Sequence, residues 1–244
     1  LATYADAAGV FLEGDLRASW PSVAGDVARL ELRPYQSQAL AAWHALGRRG
    51  VVSLATGGGK TRIAIGAVLM TGVPAVILCP TRALAAQWLA ELGRWFNEPI
   101  GMVGDGRRRL ERLTVMTFES AYRHMDDLGD RFGLLVVDEV HHFGSGARVE
   151  ALESCAATAR LGLTATAPDP ASSEATRIGE LVGPIVFEMG IGELAGTHLA
   201  PLQIVRMPVA LTEEERRAYA RLTRAFSEHA RTFFRTHQDA DVAE

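Results

Sequence analysis

Three shortages narrow this sequence before any motif is read. Only two cysteines occur in 244 residues, Cys79 and Cys155. They lie far apart and neither has a Cys-x-x-Cys partner, which argues against a disulfide framework and against a thiol metal site. Cys79 closes an apolar strand and Cys155 falls in an Ala-rich stretch expected to be helical, so both read as small buried hydrophobes in a reducing compartment. Charge of one sign is not in excess: 25 Lys and Arg stand against 29 Asp and Glu, a net charge of −4. A protein that grips nucleic acid through bulk electrostatics alone is thereby excluded. Long apolar runs are missing too. The most continuous one, Ala64 to Cys79, is interrupted by Gly66, Thr71, Gly72 and Pro74 and is too broken to span a bilayer. No basic segment followed by an apolar core opens the chain, so no secretion signal is expected and the expected location is cytoplasmic, with no membrane partner. Internal repeats and low-complexity tracts are absent.

What remains is an ordinary globular composition, 48% hydrophobic and 22% charged. The length allows one well-buried domain with extensions, or two small domains. From about Leu32 to Val209, short β-branched apolar runs alternate with longer helical stretches. Strands are expected at Val51–Leu54, Ala75–Cys79, Thr114–Thr117, Leu134–Val137, Leu161–Thr164, Ile185–Phe187 and Leu202–Met207. Helices are expected at Thr61–Met70, Ala83–Phe96 and Val149–Ala159. Continuous apolar strands spaced by helices predict a mostly parallel sheet with helices on both faces, an α/β fold. Right-handed crossovers then place all strand ends that can hold a ligand along one edge.

The chain opens on Leu1, and residues 1–30 fit the pattern poorly. They read as a lead-in segment or the tail of a preceding domain. Residues 31–209 form the α/β domain and residues 210–244 a helical extension. In the extension, Thr212 and Glu215 form a capping box. Tyr219, Leu222, Phe226, Ala230 and Phe233 then recur at three- and four-residue spacing as one apolar stripe. Residues 238–244 are polar and read as a frayed end. Two basic sets stand out: Arg107, Arg108, Arg109 and Arg112 in an expected loop, and Arg216, Arg217, Arg221, Arg224, Arg231 and Arg235 on the last helix. Each is as compatible with a solvated face as with a nucleic-acid contact.

The strongest chemical signal is Ala55-Thr56-Gly57-Gly58-Gly59-Lys60-Thr61, placed between a buried strand and a helix. Glycines let backbone N–H groups approach a triphosphate closely, and the helix N-terminus adds positive dipole. Lys60 is positioned for the β- and γ-phosphates and the Thr61 hydroxyl for Mg²⁺. The generic pattern asks for glycine where this chain has Leu54. A second strand ends in Leu134-Leu135-Val136-Val137-Asp138-Glu139. Asp138 at its tip suits Mg²⁺ through water, and Glu139 suits the orientation and polarisation of an attacking water. The adjacent His141 and His142 lack the i, i+4 spacing of a helical zinc pair and read as hydrogen-bonding links. Thr81, Thr117 and Ser120 fall just past strand ends, where hydroxyls and free N–H groups can hold phosphate oxygens, and Arg82 can add a charge-assisted contact. Each of these also fits an ordinary helix cap.

Together these motifs resemble superfamily 2 helicases, over Leu32 to about Pro168 in that family's order. Asp138-Glu139-Val140-His141 resembles the DExH box, and Leu163-Thr164-Ala165-Thr166 the motif that couples nucleotide state to nucleic-acid grip. Pro80-Thr81-Arg82-Ala83-Leu84 with Gln87-Trp88, and Thr114 to Ser120, are similar to its strand-binding motifs. Leu32-Arg33-Pro34-Tyr35-Gln36 sits where the family reads adenine, with Gln36 as the contact. The stretches Arg131 to Phe143, Arg160 to Thr166, Leu194 to Ala200 and Val205 to Glu215 resemble the XPB-type branch.

The resemblance implies a RecA-like P-loop NTPase domain, the ATP-binding half of a 3′ to 5′ DNA helicase or translocase. It implies ATP and Mg²⁺ as cofactors, DNA as partner, and a role in DNA repair. Nucleotide contacts fall on Arg33, Gln36, Thr56, Gly57, Gly58, Gly59, Lys60 and Thr61, and catalysis on Lys60, Asp138 and Glu139. His141, Thr164 and Thr166 take the coupling role, and Thr81, Arg82, Thr117 and Ser120 the nucleic-acid role. Further implied partners are a second RecA-like domain carrying arginine fingers and a repair nuclease. The last helix is either the start of a DNA-gripping insertion or a solvated extension. In one respect the chain departs from the branch: Pro168 to Glu174 contains no Arg-Glu-Asp triplet, which leaves translocation intact and puts duplex melting in question. A restriction or remodelling motor, and an ATP-switched binding module, remain open alternatives.

Overall fold

Eight strands build one sheet: β1 Arg49–Leu54, β2 Ala75–Cys79, β3 Ile100–Gly104, β4 Arg107–Arg109, β5 Leu113–Thr117, β6 Leu134–Asp138, β7 Ala159–Thr164 and β8 Ile185–Met189. This computed structural model describes residues 30–143, 149–196, 207–208 and 210–238, with side chains up to Arg231. The order across the sheet is β4-β3-β5-β2-β6-β7-β1-β8. Every pairing is parallel except β3 with β4. The helices are α1 Pro34–Ala45, α2 Lys60–Thr71, α3 Arg82–Trp95, α4 Phe118–Leu128, α5 Glu150–Glu153, α6 Ser173–Leu181, α7 Ile191–Leu194 and α8 Glu213–Gln238.

Strands β2, β5, β6 and β7 are buried along their whole length. Alternation within a strand divides their side chains between two cores. Ala75, Ile77 and Cys79 of β2 join a core with Leu40 of α1, Ile63 of α2 and Trp88 and Leu92 of α3. Val76 and Leu78 join a second core with Phe118 and Met125 of α4, Leu152 of α5 and Ile178 of α6. Helices therefore cover both faces, as the continuous apolar strands require. Each fully buried aliphatic side chain contributes about 1.5–3 kcal/mol of transfer free energy, so the central strands carry much of the stability.

Three sequence readings change. The Arg107–Arg109 segment is an antiparallel edge strand rather than a loop. Asp105 and Gly106 turn it back on β3 with φ of 55° and 73°, a two-residue hairpin whose left-handed positions suit Asp-Gly. The helix expected over Val149–Ala159 is only the single turn Glu150–Glu153, and Ala159 already belongs to β7. Cys155 accordingly lies beyond a helix rather than inside one, buried as a free thiol like Cys79.

Arg160 explains why that helix stops. It is 8% exposed, and its guanidinium donates to four backbone carbonyls: Ala157 (3.0 Å), Leu152 (3.0 Å), Leu181 (2.6 Å) and Cys155 (2.5 Å). The planar fork satisfies carbonyls left over at the ends of α5 and α6 and in the turn into β7.

The described residues group into two compact units, one within residues 1–202 and one within 203–244. In the second, Thr212 N–H donates to Glu215 Oε2 at 2.8 Å and Glu215 N–H to Thr212 Oγ1 at 3.3 Å, the expected capping box of α8. Tyr219, Leu222 and Phe226 of the apolar stripe are exposed. The lead-in segment, nearly all of the Leu202–Met207 strand, the polar end and the side chains of Phe233 and Arg235 lie outside the described residues. Among the described residues no helix is long and apolar enough to cross a membrane.

Replacing Arg160 by Met leaves several buried carbonyls without donors. The expected loss is roughly 2–5 kcal/mol of stability. Arg160→Lys should recover only a minor part, because one ammonium cannot span four carbonyls. Urea unfolding midpoints of the two variants check this.

Candidate functional site

The parallel register sets the site. Asp138 at the end of β6 lies level with Leu163 of β7, which lies level with Val52 of β1. The loop after β1, the carboxylates after β6 and the Thr164 end of β7 therefore open on one edge of the sheet. A cleft of about 480 Å³ there is lined by Thr56, Gly57, Gly59, Lys60 and Thr61 on one side and by Trp88, Asp138 and Glu139 on the other.

The glycines of the loop are conformational requirements. Gly57 and Gly59 have φ of 83° and 78°. A Cβ on Gly59 would collide with the Gln36 amide, and one on Gly58 would come within 2.9 Å of the Ala55 carbonyl and 3.3 Å of Leu194 Cδ1. The Lys60 ammonium donates to the Leu54 carbonyl at 3.1 Å. Leu54 itself is fully buried, so the position where the generic motif has glycine supplies a core side chain and a carbonyl for the lysine.

Gln36 and Arg33 sit at the start of α1, behind the loop. The Gln36 amide is 2% exposed; its nitrogen donates to the Gly58 carbonyl at 3.0 Å and its oxygen accepts from Arg33 N–H at 2.9 Å. The Tyr35 hydroxyl donates to the same Gly58 carbonyl at 2.9 Å, and Arg33 to that hydroxyl at 3.3 Å. The expected adenine-reading segment is thus tied to the phosphate loop.

Across the cleft, Asp138 Oδ2 accepts from the Trp88 indole N–H at 2.9 Å and Oδ1 from the Glu139 N–H at 3.1 Å. Burial raises the Asp138 pKa; the Trp88 hydrogen bond works against it, Glu139 adds to it, and Lys60 lowers it. Glu139 has φ of 52°, in the left-handed region, a strained conformation for a side chain at the site. His141 Nδ1 pairs with Thr164 Oγ1 at 3.0 Å and lies 3.5 Å from Glu139 Oε2. Burial first, then His142, lowers its pKa, while Glu139 and Glu174 work against that shift. Thr164 Oγ1 in turn donates to the Thr166 carbonyl at 2.8 Å, and Thr166 N–H donates to it at 3.1 Å. The three residues assigned to coupling are one hydrogen-bonded chain from β6 to the loop after β7. Among the described residues no three His, Cys, Asp or Glu converge on a point. The Thr61 hydroxyl and the acceptor-only Asp138, whose burial is not offset by a fixed ion-pair partner, suit a hard cation that takes its other ligands from phosphate and water.

Three of the four residues assigned to nucleic acid, Arg82, Thr117 and Ser120, line a second hollow of about 430 Å³ on the same edge, and Thr81 does not. Thr81 caps α3, its Oγ1 accepting from Leu84 N–H at 3.2 Å. Thr117 caps α4, accepting from Ser120 N–H at 3.3 Å, and its hydroxyl pairs with Ser120 Oγ at 2.9 Å. Arg82 is exposed and pairs with Asp105 at 2.8 Å. Sequence reasoning did not assign Trp88, Tyr35 or Leu194 to the site, nor the β3–β4 hairpin to this hollow. Only the hairpin had a local signal, Asp105-Gly106.

A glycine loop, a facing Asp-Glu pair and a parallel sheet with both faces covered define a RecA-like nucleotide-binding domain of the superfamily 2 helicase type. Residues 29–169 match the family described as type III restriction enzyme, res subunit, and the chain belongs to that family. It is 38% identical over 191 residues to the DNA 3′-5′ translocase XPB2 of Sulfurisphaera tokodaii, covering 78% of this chain and 43% of that one. It is 28% identical over 217 residues to the XPB/SSL2 helicase/translocase subunit of general transcription and DNA repair factor IIH of Saccharomyces cerevisiae, covering 79% and 25%. The fold is similar to the SWI2/SNF2 ATPase core of Sulfolobus solfataricus, solved in complex with double-stranded DNA, with a TM-score of 0.53, 17% identity, and 67% and 36% of the two chains covered. The resemblance to the XPB-type branch is borne out, and the chain spans less than half the length of these relatives.

Because its folded pKa is raised, Asp138 favours the fold below its unfolded value and loses that contribution as pH rises through the folded value. Trp88→Phe removes a donor that favours the ionised form and raises the value further. The expected cost is about 1–3 kcal/mol at neutral pH, shrinking as pH falls through the Asp138 titration. Urea unfolding at neutral and mildly acidic pH tests this; equal deficits at both would assign the loss to indole volume alone.

Proposed function

We propose that the chain is the ATP-binding part of a 3′ to 5′ DNA translocase or helicase of the XPB type, acting in DNA repair in the cytoplasm. The observation that carries this reading is the placement of α3. Its first residue, Arg82, lines the hollow at the strand edge, and its second turn delivers Trp88 to Asp138 in the nucleotide cleft. One rigid helix thus reaches both sites.

In this reading the loop N–H groups and Lys60 hold the β- and γ-phosphates of ATP, Lys60 leaving the Leu54 carbonyl to do so. Thr61 and Asp138 hold Mg²⁺, which would supply charge neutralisation on the phosphate oxygens. Glu139 orients the attacking water, and Arg33 and Gln36 would reach the adenine, the Gln36 amide nitrogen leaving the Gly58 carbonyl to do so. His141 passes the state of Glu139 to Thr164 and Thr166. Thr81, Arg82, Thr117 and Ser120 hold phosphates of a DNA strand without reading bases, as a translocating protein requires. A second RecA-like domain would supply arginine fingers, worth several orders of magnitude in rate. A repair nuclease is a further proposed partner. Pro168 to Glu174 lacks the branch's Arg-Glu-Asp triplet and here forms the turn and Ser172 cap that start α6, so the reading rests on translocation rather than melting.

Titration with a fluorescent ATP analogue tests the proposal. Wild-type chain should bind it in a Mg²⁺-dependent manner with very slow turnover. Lys60→Ala should weaken binding at least about tenfold, because a charged hydrogen bond to phosphate is removed. Glu139→Gln should keep binding and lose the residual hydrolysis. Absence of Mg²⁺-dependent binding by the wild type would refute the reading.

A further inference from the structure

The β3–β4 hairpin brings arginines to the second hollow that no strand-binding motif includes. Four arginines, Arg82, Arg107, Arg108 and Arg123, line it against two carboxylates, Asp105 and Glu119. They come from three separate elements: the start of α3, the hairpin and the body of α4. The carboxylates are already engaged, Asp105 with Arg82 at 2.8 Å and Glu119 with Arg123 at 2.7 Å. Arg108 is held only loosely, 3.9 Å from Asp127. Among the described residues Arg107 makes no ion pair and is exposed. Arg109, by contrast, is neutralised by Glu111 at 2.9 Å and does not line the hollow.

The hairpin is also fixed in place. Three residue pairs register β3 against β4, and the Asp105-Gly106 turn leaves no slack. Gly104, φ 138°, lies so close to α4 that a Cβ there would come within 2.7 Å of Ser120 Oγ. The hairpin backbone that carries the arginines is therefore fixed beside the Thr117–Ser120 hydroxyl pair. Charged residues on an edge strand can serve simply to block pairing with another sheet. That role needs charge along β4 only. It does not account for Arg82 and Arg123 converging on the same hollow from two helices, nor for the hydroxyl pair at its floor.

We infer that Arg107 and Arg108 form a backbone-phosphate subsite that extends the strand-binding edge beyond Thr117 and Ser120 onto the β3–β4 hairpin. The ligand is the sugar-phosphate backbone of a nucleic-acid strand, held by charge and by hydroxyl donors and not read for sequence. This rests on the reading of the chain as a nucleic-acid-binding ATPase.

The test is fluorescence anisotropy of a labelled single-stranded oligonucleotide on the 244-residue chain over a series of salt concentrations. Arg107→Gln with Arg108→Gln should lower affinity several-fold. It should also reduce the slope of log affinity against log salt by about 0.7 for each phosphate that is no longer neutralised. Lysine at both positions should restore most of the slope, and Arg109→Gln should leave it as in the wild type. Thermal unfolding midpoints verify that each variant is folded. If the wild type binds with a salt-dependent affinity and the double Gln variant matches it, the arginines only guard the edge and the inference fails alone. If the wild type shows no salt-dependent binding, both the inference and the underlying reading fail. Displacement by inorganic phosphate at an ionic strength where chloride does not displace would mark a free-phosphate site and also overturn the assignment.

Discussion

Four strands sealed between two layers of helices leave polar chemistry almost nowhere to sit except at their ends. β2, β5, β6 and β7 are buried at every residue, and their backbone groups are consumed by parallel neighbours. Where each strand runs out, the chain must turn, and the turn exposes N–H groups, hydroxyls and carboxylates together. Thr81, Thr117, Asp138 and Thr164 lie at or just past the ends of β2, β5, β6 and β7 for that reason. The same constraint sets their mutual positions, because parallel register fixes how far apart adjacent strand ends stand. A functional edge is in this sense a by-product of burying the sheet twice.

The edge divides into two hollows, and α3 bridges them. A helix of fourteen residues is stiff over its length, so a displacement at its cap is felt at Trp88. Trp88 in turn holds the carboxylate proposed for the cation, and His141, two residues beyond Glu139, holds Thr164. Two physical paths thus leave the cleft: one through α3 to Thr81 and Arg82, the other through His141 to the loop after β7. Each starts from the half-buried or buried groups of the cleft and ends on exposed ones, Thr81 and Arg82 in the first and Thr166 in the second. Whether either has two discrete arrangements is what separates a path of contacts from a coupling route.

Much of this was legible in the sequence, for reasons that differ by element. β1, β2, β5, β6 and β7 announced themselves because strands buried on both faces are apolar without interruption, and the glycine loop and Asp138-Glu139 stood out because they interrupt such runs with polar residues. The β3–β4 hairpin was missed because three consecutive arginines carry no apolar period, although Asp105-Gly106 was a turn signal of the right kind. The helix over Val149–Ala159 was overextended because its alanines favour helix, while the residue that ends it, Arg160, acts from inside β7 through carbonyls that no local pattern reveals. Trp88 was read as part of a motif and not as a partner of Asp138, since fifty residues separate them and only the fold joins them. Leu54 looked like a defect of the phosphate loop because the pattern describes side chains, whereas the lysine uses that residue's carbonyl.

The site is held at a cost in stability. Asp138 is kept in a place where burial disfavours its charge, Glu139 in a left-handed backbone conformation, and Lys60 turned back upon a carbonyl. The first two do not improve the isolated fold. A protonated or amide side chain would be easier to bury than Asp138, and glycine would be easier to place than Glu139. In the proposed reading each becomes favourable once a cation and a polyanion enter the cleft: the carboxylate would gain a counter-charge and the ammonium would gain phosphate. Glu139 is then already aimed. Unfavourable burial at Asp138 and backbone strain at Glu139, side by side at the proposed site, are better explained by selection for binding than by selection for stability. The fully buried strands β2, β6 and β7 beneath the cleft are what make such strain tolerable, since they fix the strand ends from which Asp138 and Glu139 project.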